Sequence, residues 1–140
     1  MRAISEIWQT DRGALIRVRR ARLLGRLLGL IAAPMPGRGE ALLLAGCRSV
    51  HSVGMTQTID VVFSDRGGRV LAVRALQPCR IAGCRDAADT FEFAIGQAAA
   101  LEIRPGSTLS FLARTQAEAS AVGAIAVRSK PRPQAVPTSE

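Results

Sequence analysis

At 140 residues the chain is long enough for one domain with its own core and too short for several. Aromatic residues make up only 4% of it, so that core must be built mostly from Leu, Val, Ile and Ala. The net charge of +8 sits mainly at the ends: eight arginines face three acids in residues 1–40, seven face six in 41–113, and four bases face two acids in 114–140. This pattern argues for non-specific attraction to anions and against specific nucleic-acid recognition.

Residues 1–13 are mixed in character and read as a loosely ordered N-terminal extension, with Ile7 and Trp8 covering an edge. "ALIRVRRA" (14–21) alternates apolar and basic residues and predicts a strand with one wet face. "RLLGRLLGL" repeats leucine pairs at helical spacing, predicting about two turns with Arg22 and Arg26 on the solvated face. The apolar stretch 23–35 is broken by Arg26 and falls short of the roughly 20 residues a membrane span needs, so no transmembrane segment is expected. "PMPGRGE" is a loop, and "ALLLAGC" (41–47) a buried strand.

"TIDVVFSD" (58–65) places Ile59, Val61 and Phe63 on one face and Asp60, Val62 and Ser64 on the other. "RVLAVRAL" (69–76) follows after Asp-Arg-Gly-Gly, and together they predict a β-hairpin. Asp65 has a structural task in its turn, accepting backbone N–H groups, with Gly67 or Gly68 supplying a positive φ. "QPCRIAGCRDA" (77–87) is a connection that turns at Pro78 and Gly83. "DTFEFAI" (89–95) is a strand with Phe91, Phe93 and Ile95 opposite Glu92, "GQAAALEI" a helical turn, and "TLSFLA" a last strand. Residues 114–140, Ala- and Pro-rich, read as a largely disordered tail, with "ASAVGAIAV" left open as an extra strand. The domain is thus expected at 14–113. Cys47, Cys79 and Cys84 are odd in number and widely spaced, which excludes a dense disulfide framework and suits thiols in the cytoplasm.

Several separated pieces occur in a characteristic order: "CRSVH" leading to Met55, "IDVVF" leading to "DRGGRV", and a glycine–helix–"IRPG" ending. Over residues 14–112 the chain resembles the domain-of-unknown-function-192 family of small bacterial and archaeal proteins. It departs from that family at "GMTQTID" and at Gly106–Ser107, where Gly-Asp is usual. The resemblance implies a compact, mainly β fold: an antiparallel sandwich or barrel-like domain with one or two short helices at its rim. It implies no settled activity.

Chemistry concentrates in residues 47–65. Cys47, His51 and Met55 stand four apart, a spacing that keeps them on one face of either a helix or a strand. Such soft ligands would suit Cu(I), but core filling by Cys47 and Met55 explains them equally, and no CxxC or HxH supports a metal site. Adding Cys79 and Cys84 fits no zinc-finger spacing. Cys47, His51 and Asp60 also allow a nucleophile–base–acid reading. Asp60 interrupts an apolar strand, so it must cap backbone N–H groups, pair with an arginine such as Arg74 or Arg80, or line a groove.

The reading adopted is a non-catalytic binding or accessory module, a monomer, with His51, Met55 and Asp60 lining a groove at the hairpin base for a small ligand or peptide. It expects no metal and no cofactor. A small enzyme or soft-metal protein using Cys47, His51, Met55 and Asp60 is the alternative. Association with anionic surfaces through Arg17, Arg19, Arg20, Arg22 and Arg26 is a third.

Overall fold

The computed structural model describes residues 4–21 and 35–116. Within them the strands are β1 (Ile4–Thr10), β2 (Leu15–Arg20), β3 (Glu40–Ala45), β4 (Ser49–His51), β5 (Ile59–Ser64), β6 (Val70–Leu76), β7 (Ile81–Gly83), β8 (Asp89–Ala94) and β9 (Leu109–Gln116). One short helix, α1 (Gln97–Ala100), follows β8. Seven strands form a single sheet in the order β6-β5-β8-β3-β2-β1-β9, and β4 pairs with β7 in a separate small sheet.

The mainly β class holds. The expected antiparallel architecture is refined in two respects: β2 and β3 run parallel, which makes the sheet mixed, and the sheet does not close into a barrel. Its two edges nevertheless meet at one end. Arg69 and Thr108 form an isolated bridge, the Val70 N–H donates to Ser107 O at 2.8 Å, and the Leu109 N–H donates to Gly68 O at 2.8 Å. Gly68 is required there: its φ is +83° and a Cβ would lie 2.1 Å from the Leu109 carbonyl oxygen.

The β5–β6 hairpin forms as its sequence predicts. Asp65 Oδ1 accepts the N–H groups of Gly67 and Arg69, both at 2.9 Å, which fixes the turn before Gly68. Every residue of β5 is buried, because both faces of the sheet are covered. On one face Ile59, Val61 and Phe63 join Leu42, Leu44 and Leu76, and the small sheet contributes Val50 and Ala82 over them. On the other face Val62 joins Ile16, Val18, Leu43, Phe91, Phe93 and Ala98 of α1. Trp8 closes that second core, its ring edge-on to Phe91 at 5.3 Å between centroids. The small sheet is fastened by Ser52, whose buried hydroxyl donates to Gln77 O and accepts the Arg80 N–H at 2.9 Å.

Three expectations change. Residues 4–10, assigned to an extension, form β1, hydrogen-bonded between β2 and β9. "QPCRIAGCRDA", read as a connection, contains β7, and "CRSVH", given no element, contains β4. The last strand continues past residue 113 to Gln116. The expected helix over 22–30 and the expected tail from 117 onward lie outside the described residues.

Candidate functional site

The structure separates the residues that the sequence grouped. Val50 points into the core beneath the small sheet, so its neighbour His51 points away from it and is exposed, paired across the ladder with Ile81. Met55 is half-buried and packs on the apolar cluster of Ile59, Val61 and Leu42, as does Cys47. Asp60 belongs to the opposite face of the main sheet. Its Oδ2 accepts the N–H of Ala98 at 3.0 Å, supplying α1 with the cap that Gly96, the N-cap residue just before it, has no side chain to give. Of the possibilities open to Asp60, the structure therefore has it capping backbone. It does not bring Asp60 onto the face that carries Cys47 and Met55. Among the described residues no group of three or more His, Cys, Asp or Glu side chains is placed to hold a metal ion. None of the three cysteines is in a disulfide.

Among the described residues three acids are buried: Glu6, Asp60 and Glu92. Two are provided for. Asp60 has Ala98. Glu6, on β1, accepts Arg20 Nε at 2.7 Å and Trp8 Nε1 at 2.9 Å, with Arg114 Nε 3.6 Å away. Burial would raise the Glu6 pKa, but these hydrogen bonds and the two guanidinium charges outweigh it and hold the carboxyl below its ordinary value.

Glu92 is different. Only 2% of it is exposed, and its Oε2 has no hydrogen-bond partner. It lies in the middle strand of a cross-sheet row, between Leu42 on β3 and Val61 on β5. The row continues to Arg19 on β2 and Arg74 on β6, each two strands from Glu92 and so about 10 Å off. Burial alone pushes the Glu92 carboxyl up to about 7, so a large share of it keeps its proton in neutral solution. A protonated carboxyl in an apolar bed can donate one hydrogen bond and accept another. Sequence reasoning placed Glu92 opposite the phenylalanines and gave it no role. The usable signal was its position in a strand with apolar neighbours on both sides.

Among the described residues no helix is long and apolar enough to cross a membrane. Fold and site together define a small mixed-β domain, covered on both faces, which among the described residues buries the unpartnered Oε2 of Glu92. The chain belongs to the DUF192 family, "Uncharacterized ACR", whose sequence profile matches residues 8–111. None of the curated proteins matches it.

Three solved structures share the fold. A protein of unknown function from Novosphingobium aromaticivorans has a TM-score of 0.64 at 17% identity, covering 76% of this chain and 83% of the other. A protein described as a proposed transcription regulator, from Sinorhizobium meliloti, has a TM-score of 0.65 at 18% identity, covering 79% and 94%. A hypothetical protein from Synechocystis has a TM-score of 0.55 at 15% identity, covering 81% of this chain but 20% of that one. At such identities the likeness is one of fold.

Proposed function

We propose that the protein is a non-catalytic small-ligand-binding module, and that its ligand seats on the sheet face beneath β4 and β7, with Glu92 as the polar anchor. One observation carries this reading: a carboxyl oxygen is fully buried without a partner in a bed of Leu42, Val61 and their neighbours. Leaving a polar group there costs a few kcal/mol, which a leucine would avoid. A ligand that completes the missing hydrogen bond recovers that cost on binding. Met55, already expected at the site, forms part of the apolar wall, whereas Asp60 supports the fold from behind through α1. The reading suits a compact, mostly apolar molecule with one hydrogen-bonding head group, an amide, hydroxyl or amine. The three thiols support a reducing compartment for this work.

The test is a thermal-shift comparison of the protein and Glu92→Leu against short alkyl amides, alcohols and amines, with matched alkyl chlorides lacking the head group. Head-group compounds should raise the midpoint of the unaltered protein and leave Glu92→Leu unmoved. Equal shifts in both proteins, or none in either, would sink the proposal. Glu92→Leu removes a buried polar atom, so loss of the fold is not the expected outcome.

A further inference from the structure

At the end of the sheet where β5 meets β6, three connections converge: the one after β3, the β5–β6 turn and the one before β8. They enclose a cleft of about 700 Å³, within the range of small-molecule sites. Its walls are tied to one another. The Gly46 N–H donates to Asp89 Oδ1 at 2.9 Å, the Ala88 N–H to Ser64 O at 2.8 Å, and Thr90 Oγ1 to Cys47 O at 2.7 Å. Asp65 Oδ1 is occupied by its own turn.

The arginines of the cleft are in the opposite condition. Arg48, Arg66 and Arg85 come one from each connection and are exposed. Among the described residues their guanidinium groups make no ion pair or hydrogen bond. Neither does the carboxylate of Asp86. Fixed walls thus carry three planar donor forks and, in Asp86, a carboxylate with neither oxygen engaged among the described residues.

We propose that this cleft binds a small phosphate ester, its phosphoryl group held by Arg48, Arg66 and Arg85 and a hydroxyl of the same molecule accepted by Asp86. Guanidinium forks match phosphoryl oxygens two at a time, which gives directional recognition a point charge cannot. The three arginines and three aspartates make the cleft formally neutral. It therefore has no bulk positive field to collect polyanions, and selection falls to the geometry of the forks. This sets it apart from the basic residues 1–40, whose attraction would be non-specific and screened by salt. The site is separate from Glu92 and does not depend on the ligand proposed there.

The experiment is isothermal titration of the full chain with AMP, adenosine, inorganic phosphate and a short DNA duplex, repeated for Arg48→Gln, Arg66→Gln, Arg85→Gln and the triple variant. These substitutions are on exposed side chains, and an unchanged melting midpoint confirms the fold. The expected result is saturable AMP binding, no adenosine binding, and a loss of about tenfold in affinity per arginine removed. Asp86→Asn should weaken AMP and leave inorganic phosphate unchanged. The proposal is overturned if AMP and adenosine bind alike, if AMP does not bind at millimolar concentration, or if the triple variant keeps AMP affinity. Binding of the duplex alone, undiminished in the triple variant, would also overturn it and assign the charge to residues 1–40.

Discussion

Glu92, Glu6 and Asp60 are three buried carboxyl groups with three different fates, and the first two titrate with opposite effects on stability. The pKa of Glu92 is raised from 4.5 to about 7 by burial. The folded protein then holds a proton that the unfolded chain releases, so the Glu92 contribution to stability is fully present below pH 4.5 and falls as pH rises toward 7. The loss is about 3 kcal/mol, from 1.36 kcal/mol per pKa unit. Glu6 acts with the opposite sign. Its folded pKa lies below the ordinary 4.5, so its contribution is present above that value and lost as pH falls through the folded one. Urea denaturation across pH should show Glu92→Gln abolishing most of the decline between pH 4.5 and 7 and leaving the acid-side loss intact. A Glu92→Gln profile that matches the unaltered protein would exclude an unpaired buried acid at this position. For Asp60, removal strands the buried Ala98 N–H, and Asp60→Ala should cost about 2 kcal/mol in the same assay. Asp60→Asn, which keeps an acceptor oxygen, should recover most of it.

The elements legible in the sequence are those whose two faces differ or whose turn chemistry is explicit. β5 and β6 were readable because "DRGG" marks the turn and Asp65 closes it. β4 and β7, three residues each, are too short for any period to register, and their pairing depends on Ser52 meeting Gln77 and Arg80 across more than 20 residues of chain. β1 was missed because its inward positions carry Glu6 and Thr10 beside Trp8, a pattern that looks polar until Arg20 and Arg114 supply partners. The site was harder still. Glu92 alternates as a solvated strand residue would, and only the second cover over the sheet turns that position inward. Asp60 was legible as a buried acid needing a partner, but its partner lies 38 residues away in α1. The contact between β6 and β9 offers a sharp test of the element-level account. Gly68→Ala forces a Cβ onto the Leu109 carbonyl at a positive φ, and should destabilise by about 3 kcal/mol or more, with amide exchange accelerating first at Val70 and Leu109.

For the molecule as a whole, the decisive feature is that β1 lies inside the sheet. Ile4 to Thr10 pair with β9 on one side and β2 on the other, and Trp8 stacks edge-on against both Phe91 and Phe111. A version beginning at Asp11 should therefore lose dispersed amide resonances and a cooperative melt, even though it retains nearly all of the span matched to the family. Retention of both would show that β1 is an appendage after all. The same pairing bears on how the protein is made. Ser5 O accepts a hydrogen bond from Thr115, 110 residues later, so β1, the first made of the described strands, has as its neighbour β9, the last made of them. Until β9 emerges, β1 has an open flank with nothing to pair against, and other nascent chains compete for it. The finished fold offers that flank no protection in the interval, which lasts until β9 is made.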